Sequence, residues 1–390
     1  MSIGSINQET DQILSNKTIA IFTAYAHKLP KSRPELLEQL LKFDNKVIVM
    51  GLEEQSLGDH EFAPLNIKYY QIPLSRHGLS IIQEINGVKL ISKCLKDNDV
   101  DVLLTYGIRL ILSANYAAKK IQVRVVNIIN GAGNLFSSDS IRGKLLRNAI
   151  FPILKHAFGL SEKVIFQNKD DLEEFIKLKL LDYKKCALTN GSGVNLSEYT
   201  PCSLPADNIF AIDCRLSKEK GIWELLQAFE KLKTQIPDVQ LRIAGKMDGL
   251  TNRKTEEEFN RMIAANKVDY IGEISNVREF LSSCRFFVYP SYYREGVPRS
   301  IIEAMACARP IITTDMPGCR ETIVKNENGY LVTPKSIDDL YNAMYKMCII
   351  GDKAKEMGYN SRRIAEEKFD VHSNNKIVLQ MLTQAYYMND

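Results

Sequence analysis

The feature that most constrains the fold is an alternation of apolar, strand-length runs with helical patterns. The first run, TIAIFT, precedes SRPELLEQLLKF, where leucine recurs at helical spacing after Pro34, a residue suited to a first helical turn. Further strand candidates are KVIVMG, IKYYQI, DVLLTY, VRVVNII and KVIFQN. Continuous apolar strands separated by helices predict a parallel sheet covered on both faces.

The same alternation starts again near residue 208. The second set of strand candidates is NIFAID, VQLRIAG, VDYIG, RFFVYP and PIITTD, with helical patterns such as KEKGIWELLQAFEKLK between them. The intervening stretch NGSGVNLSEYTPCSLPADN has no periodicity and is typical of a linker. The sequence therefore predicts an α/β protein with two doubly wound, Rossmann-like domains. Ligands of such sheets bind at the carboxyl ends of the strands, here in the cleft between the domains.

The sequence pattern predicts four segments. Residues 1–16 form a disordered lead-in, 17–195 an N-terminal domain, 196–370 a C-terminal domain, and 371–390 a helix that crosses back to the N-terminal domain. The polar start of the chain lacks a signal-peptide core, and no apolar run is long enough for a transmembrane helix.

Composition narrows the class of protein further. The formal net charge of +4 gives no sign of a nucleic-acid partner. The eight cysteines include no C-x-x-C pair, which favours reduced thiols in a cytoplasmic protein over a zinc site or a disulfide framework.

The loop IDCRLSKEKG follows the first strand of the second domain. Arg215 supplies a planar fork of donors and Lys220 a point charge, a combination that suits a diphosphate. Gly221 would let the backbone approach such a ligand closely. The alternative is a pair of solvated charges on a surface turn.

The stretch REGVPRSIIEAMACARPIITTD places two carboxylates eight residues apart, Glu295 and Glu303. Pro298 fits the first turn of a helix, so Glu295 lies in the preceding loop and Glu303 on the second turn. The first helical amides, near Arg299, Ser300 and Ile301, would form an anion site. Glu303 could accept hydrogen bonds from a ribose. The alternative is that Glu295 supports the helix dipole and Glu303 is a surface residue.

Together these stretches resemble the family 4 retaining glycosyltransferases of the GT-B fold. The similarity covers most of residues 160–335 and includes FQNKDD, GSGVNL, RLSKEKG, VDYIGEISNV and EGVPRSIIEAMAC. It implies a metal-independent, retaining hexosyltransferase with two Rossmann-like domains, the first binding the acceptor and the second the nucleotide sugar. Neither a cofactor nor a metal is expected, because enzymes of this family generally need none. Asp170-Asp171 and Asp338-Asp339 are interpreted as ordinary helix-start acids.

The resemblance assigns roles to individual positions. Arg215 and Lys220 would bind the donor diphosphate and act in catalysis together with Glu295, which would face the donor sugar. Glu303 would bind the ribose. The remaining donor-binding positions would be Gly245, Gly272 and Glu273 near the base, and Gly296, Val297 and Ser300 near the phosphates.

The N-terminal half departs from the family pattern in two places. A glycine pair usually follows the first strand, whereas this chain has TAYAHKLPKS there. Many members place a histidine after the strand that is DVLLTY here, and this chain has Tyr106 instead.

The loop NGAGNLFSSDS follows VRVVNII and is similar to the acceptor loop of bacterial enzymes that extend polyprenyl-diphosphate-linked saccharides. The resemblance implies five acceptor-binding residues: Asn130, Gly131, Gly133, His27 and Tyr106. A dinucleotide site is disfavoured because the third glycine and the acidic ribose ligand are missing.

Residues 141–156, IRGKLLRNAIFPILKH, mix basic and apolar side chains on a predicted helix. Such a face can lie on an anionic membrane, and the alternative is a buried helix whose basic side chains reach solvent.

The main hypothesis is a cytoplasmic enzyme, working at the inner face of the cytoplasmic membrane. It would move a hexose or N-acetylhexosamine from a UDP-sugar to a lipid-linked saccharide in polysaccharide or glycan assembly. The alternatives are a GT-B sugar-nucleotide epimerase, which the five histidines disfavour, and a non-catalytic nucleotide-binding subunit of a glycosyltransferase complex.

Overall fold

The computed structural model describes residues 14–76, 80–133, 141–247 and 253–387, with side chains except those of 141–149. Most of the predicted lead-in therefore lies outside the described residues. Within them, no helix has the length and apolar character needed to cross a membrane.

The first domain is built on a parallel sheet that has seven strands within the described residues, in the order β3-β2-β1-β4-β5-β6-β7. The strands are β1 (Thr18–Thr23), β2 (Lys46–Gly51), β3 (Lys68–Gln71), β4 (Val102–Tyr106), β5 (Arg124–Ile129), β6 (Lys163–Phe166) and β7 (Cys186–Leu188). The helices are α1 (Leu29–Ser32), α2 (Pro34–Lys42), α3 (Gln55–Phe62), α4 (Ile81–Asp97), α5 (Ile108–Lys120), α6 (Ile141–Gly159) and α7 (Lys169–Lys177).

The second sheet has six parallel strands within the described residues, in the order β10-β9-β8-β11-β12-β13. They are β8 (Ile209–Asp213), β9 (Gln240–Ala244), β10 (Asp269–Gly272), β11 (Phe286–Tyr289), β12 (Ile311–Thr314) and β13 (Gly329–Val332). The helices are α8 (Ile222–Gln235), α9 (Arg253–Asn266), α10 (Val277–Ser282), α11 (Arg299–Ala306), α12 (Ile337–Ile349), α13 (Lys353–Lys368) and α14 (Val371–Tyr387). The predicted α/β class with two doubly wound sheets is confirmed.

Apolar side chains form a core on each face of the first sheet and one continuous core in the second domain. Helix α14 follows the second domain in sequence but packs on the first sheet. Val378, Met381 and Leu382 of α14 are buried there, and the helix contacts β4, β5, β6 and β7. Helix α14 therefore connects the two domains.

Loops at the carboxyl ends of the two sheets meet each other. The loop after β5 reaches the loop after β11, because the Gly296 amide donates to the Asn130 carbonyl at 3.0 Å. Gly191, after β7, lies against Val297 so closely that a Cβ atom at this glycine would be 2.7 Å from the valine Cβ. The predicted cleft edge is thus where the two domains come together.

Candidate active site

Two loops from neighbouring strands form the centre of the candidate site. Strands β8 and β11 pair in parallel, so the loops that follow them emerge side by side. The loop after β8 makes a 3₁₀ turn over Lys218–Lys220 and then reaches Gly221, whose φ is +72°. A Cβ atom at Gly221 would lie 2.2 Å from the Pro290 carbonyl oxygen, so a glycine is needed for the two loops to approach.

Lys220 and Glu295 are in direct contact across these loops. The Lys220 Nζ atom lies 2.8 Å from both Glu295 carboxylate oxygens and donates to the Tyr289 hydroxyl at 2.6 Å. Ser291 donates to the same carboxylate at 3.0 Å. Burial raises the pKa of Tyr289 well above its ordinary value, and the nearby Glu295 raises it further. Tyr289 therefore remains a neutral phenol that supports the ion pair.

Arg215 occupies the open side of the same loop. Its side chain is exposed, whereas Lys220 is almost buried. Burial and the nearby Glu295 raise the pKa of Tyr293, and the positive charges of Lys220 and Arg215 oppose that rise. The two predicted diphosphate ligands thus lie in one loop, Lys220 with a buried side chain and Arg215 with an exposed one.

Glu303 lies on helix α11, on the far side of the helix start from Glu295. It is only 5% exposed, so the interpretation as a surface residue is wrong. Arg299 donates to it through Nε at 2.6 Å. Burial raises the pKa of Glu303, while Arg299 and a hydrogen bond from Tyr199 oppose that shift. The carboxylate is thus held in one orientation by neighbours on its own domain.

Sequence reasoning missed Asp213, the last residue of β8. Burial and the charge of Glu303 raise the pKa of Asp213 to about 6. Asp213 could have been identified as a candidate site residue from its position at the carboxyl end of a strand, just before Arg215.

The helix start differs in detail from the prediction. Pro298 is the N-cap of α11 rather than a residue of its first turn. The Ile301 amide already donates to the Pro298 carbonyl at 3.2 Å, and the Gly296 amide donates to Asn130. Neither of these two amides is available to a phosphate in this arrangement. The amides of Arg299 and Ser300 remain as the first turn of the helix.

The three positions predicted near the base, Gly245, Gly272 and Glu273, lie at or just after the carboxyl ends of β9 and β10. The Gly245 amide donates to the Gly272 carbonyl at 2.7 Å, and Glu273 is exposed. Gly245 has φ +126°, and a Cβ atom there would lie 1.8 Å from the Cys214 carbonyl oxygen. This close approach connects the Gly245 turn to the Arg215 loop.

The predicted acceptor residues Asn130, Gly131 and Gly133 lie against the Glu295 loop. A Cβ atom at Gly131, whose φ is +117°, would be 2.6 Å from the Glu295 Cα atom. The Gly133 amide donates to the Arg294 carbonyl at 3.2 Å. The rest of the NGAGNLFSSDS stretch lies outside the described residues. The structure therefore brings the predicted acceptor loop into backbone contact with the predicted donor loop.

His27 contacts a carboxylate, whereas Tyr106 is buried. His27 Nδ1 lies 2.8 Å from Glu53, which also accepts from Arg76 at 2.9 Å. Tyr106 is 7% exposed, and its ring lies below the buried guanidinium of Arg33. The Tyr106 hydroxyl is buried, so an acceptor saccharide could not reach it in this structure.

Asp170 and Asp171 lie in the first turn of α7, as predicted, and both also contact the second domain. Asp171 is fully buried and accepts from Arg294 of the second domain at 2.7 Å. Asp170 pairs with Arg320 of the second domain at 3.1 Å. Within the described residues, no group of three or more His, Cys, Asp or Glu side chains could hold a metal ion.

Comparison with known proteins finds a family match in the second domain. A family model described as glycosyl transferases group 1 matches residues 203–364. The chain is 26% identical over 318 residues to the N,N'-diacetylbacillosaminyl-diphospho-undecaprenol alpha-1,3-N-acetylgalactosaminyltransferase of Campylobacter jejuni, covering 76% of this chain and 81% of that protein. It is 22% identical over 298 residues to the UDP-Gal:alpha-D-GlcNAc-diphosphoundecaprenol alpha-1,3-galactosyltransferase of Escherichia coli, covering 72% and 75%.

The fold comparison agrees with the sequence comparison. The crystal structure of Anabaena HepE in complex with UDP and glucose matches 94% of this chain and 100% of its own, with a TM-score of 0.75 at 16% identity. The family resemblance inferred from residues 160–335 is confirmed. The chain is therefore a glycosyltransferase, with a group 1 domain in residues 203–364 and two sheets that together form the GT-B fold.

Proposed function

We propose that this glycosyltransferase moves a hexose or N-acetylhexosamine from a UDP-sugar to a lipid-linked saccharide, with retention at the anomeric carbon and without a metal. The observation that carries the proposal is the Lys220–Glu295 pair, with Nζ 2.8 Å from both oxygens, at the carboxyl ends of two adjacent strands. The names of both relatives describe transfer to a saccharide linked to diphosphoundecaprenol, and that of the E. coli enzyme also contains UDP-Gal. The HepE structure contains UDP and glucose.

The site fits a nucleotide sugar that lies along the start of α11. Glu295 is in the loop before the helix and Glu303 is on its second turn. In our proposal the ribose hydroxyls donate to Glu303, and the diphosphate meets Arg215, Lys220 and the first helical amides. The sugar then faces Glu295.

The proposed reaction breaks the bond between the anomeric carbon and the diphosphate oxygen. Arg215, Lys220 and the helix start stabilise the negative charge that builds on the leaving diphosphate, where preorganised donors are most effective. The acceptor hydroxyl forms the new bond on the same face, and its proton passes to an oxygen of the leaving phosphate. Glu295 orients the sugar and is not a nucleophile, so a trapped glycosyl-Glu295 adduct would overturn this role.

We propose metal independence because Arg215, Lys220 and the helix start all direct positive charge toward the proposed position of the diphosphate. We expect EDTA to leave the rate unchanged. Loss of activity in EDTA that Mg²⁺ restores would contradict this part of the proposal.

The function is tested first with donors. UDP-, GDP- and other nucleotide sugars are screened for thermal stabilisation of the protein, since a ligand that binds only the folded state raises its stability. The stabilising donor is then incubated with a synthetic polyprenyl-diphosphate-linked saccharide, and the anomeric configuration of the product is determined. If no nucleotide raises the melting temperature, the proposal is wrong. Binding of UDP without transfer would favour the non-catalytic alternative, and isomerisation of the donor would favour the epimerase.

We further propose that residues 141–156 contact an anionic membrane. In the described part of α6, Leu154 is buried in the domain, whereas Ile153 is 49% exposed and Lys155 and His156 are exposed. The outward face thus mixes apolar and basic groups, the combination that binds anionic lipid.

Liposome flotation tests this contact. We expect the protein to float with anionic vesicles but not with neutral ones, and Lys155→Glu to reduce flotation. The matched control is Lys355→Glu, an exposed lysine on a helix of the second domain. Equal flotation of all three proteins, or none, would count against the membrane contact.

A further inference from the structure

The first turn of α7 makes a buried charge contact with the second domain. Asp171 is fully buried and accepts hydrogen bonds from the Ala132 amide at 2.8 Å and from the Asn168 side chain at 2.9 Å. Its other oxygen accepts from Arg294, both Nε and one terminal nitrogen at 2.7 Å. Arg294 also contacts Glu174, one turn further along the helix.

Arg294 directly precedes Glu295, and the backbone around it is tied to the first domain. The Arg294 carbonyl accepts from the Gly133 amide at 3.2 Å. The Glu295 carbonyl accepts from the Asn168 side chain at 3.1 Å. The Gly296 amide then donates to the Asn130 carbonyl. Three consecutive residues of the loop are therefore bonded to the first domain.

The side chain of Glu295 is held from the opposite direction. Its contacts to Lys220, Tyr289 and Ser291 all come from the second domain. The carboxylate thus depends on the second domain for its partners and on the first domain for the position of its backbone.

We propose that Asp171 and Arg294 are positioning residues that set Glu295 in place for sugar transfer. This inference rests on the proposed function, in which Glu295 faces the donor sugar. The nucleotide end of the site takes the side chains of Arg215, Lys220 and Glu303 from the second domain. The sugar end is completed only when Arg294 reaches Asp171 of the first domain.

The ion pair has the properties that such a role requires. A fork of two donors on one carboxylate oxygen fixes direction as well as distance, which a lysine cannot reproduce. Removal of one partner leaves an uncompensated buried charge, so the loop would move rather than keep its position. Misplacement of a reacting group by about 1 Å can lower a rate by about 100-fold.

The experiment compares Arg294→Gln, Arg294→Lys and the wild type. The matched control is Arg320→Gln, because Arg320 also bridges the domains, to Asp170, but does not adjoin Glu295. Two quantities are measured: the Kd of UDP by calorimetry, and the rate of UDP release from UDP-galactose and UDP-N-acetylgalactosamine with water as acceptor. In that reaction water forms the new bond to the anomeric carbon, and UDP leaves. Thermal melting checks that each variant is folded.

We expect Arg294→Gln to lower the rate by about 100-fold while the Kd of UDP changes less than about twofold. Arg294→Lys should recover part of the rate, because the charge returns without the fork. Arg320→Gln should behave like the wild type. Equal losses in Arg294→Gln and Arg320→Gln, or a parallel loss of UDP binding, would mean that the pair only holds the domains together and would overturn the inference.

If Arg294→Gln does not fold, Arg294→Lys alone decides the matter: an unchanged rate with a normal melting temperature overturns the positioning role. Wild-type protein that binds no UDP would instead overturn the proposed function, and that result is distinct because it precedes any comparison of variants.

Discussion

Lys220 is nearly buried, and its ammonium group lies 2.8 Å from both oxygens of Glu295. If this ammonium stabilises the leaving diphosphate, Lys220→Ala should lower kcat by about 100- to 1000-fold, as the loss of one oxyanion donor does. The control is Lys218→Ala, which removes an exposed lysine from the same turn and should leave the rate unchanged. Steady-state kinetics with the identified donor measure both. A Lys220→Ala enzyme with more than about a tenth of the wild-type rate would contradict the assignment.

Glu303 is proposed to accept hydrogen bonds from the ribose. Glu303→Ala should therefore weaken UDP binding by about tenfold or more, because a hydrogen bond to a charged group contributes about 1.5–3 kcal/mol. The same substitution should matter less for 2′-deoxy-UDP, which lacks one of the donors. The control is Glu198→Ala, an exposed carboxylate nearby. Equal losses for UDP and 2′-deoxy-UDP, measured by calorimetry, would argue against a contact to the 2′-hydroxyl.

Single residues show what the sequence could and could not predict about the site. Arg215, Lys220, Glu295 and Glu303 were predictable because each belongs to a short pattern after a strand. Asp171 was not, because its partner Arg294 is 123 positions away and an acid in a first helical turn already has a local explanation. Contacts between domains leave no trace in local spacing, and for the same reason the contact of the Gly296 amide with Asn130 was not foreseen.

At the level of elements, periodicity predicted the long helices and the buried strands. It missed β7 (Cys186–Leu188), whose residues are only half-buried, and β13 (Gly329–Val332), which is short and opens with a glycine. It also missed α3 (Gln55–Phe62), of which only Gly58 and Phe62 are buried. These elements bury too few side chains to impose an apolar pattern.

The loop after β5 fits tightly against the Glu295 loop. Gly131→Ala should lower the rate, because the new Cβ atom would lie 2.6 Å from the Glu295 Cα atom and φ is +117°. We expect a loss of about 100-fold in kcat with UDP affinity preserved. The control is Gly159→Ala, since a Cβ atom there meets nothing within 4 Å. If both variants have the wild-type rate, the contact between these loops is not needed for transfer.

Across the whole molecule, both glutamates of the proposed donor site are connected to the first domain. Glu295 is connected through its own loop, and Glu303 through Arg299, which donates to the Ser32 carbonyl at 2.6 Å. Helix α14 adds a third connection by packing on the first sheet. The relative position of the two domains therefore affects both ends of the donor site.

The contact between the domains also makes the stability of the whole molecule depend on pH. Glu321, in the turn after β12, accepts from the Lys169 amide at 2.6 Å. Burial raises the pKa of Glu321 to about 7; the Lys169 amide and Lys368 oppose the rise, and Asp170 and Asp171 add to it. The pKa of Asp213 is shifted in the same direction, to about 6.

Between the unfolded pKa of 4.5 and about 7, the folded protein binds more protons at Glu321 than the unfolded chain does. The free energy of unfolding therefore falls as pH rises through this window.

We expect the wild type to lose on the order of 1–2 kcal/mol from Glu321 between pH 5 and pH 8, seen as a lower melting temperature at pH 8. Glu321→Gln keeps an acceptor for the Lys169 amide but removes the titration, so its stability should fall less over the same interval. Every other group titrates alike in both proteins, and the difference between their curves isolates Glu321. Glu327→Gln, which removes a half-exposed carboxylate paired with Arg363, should follow the wild-type curve. Parallel curves of unfolding free energy against pH for the wild type and Glu321→Gln would show that this carboxyl keeps its ordinary pKa. The contact between α7 and the second domain would then not make the stability depend on pH.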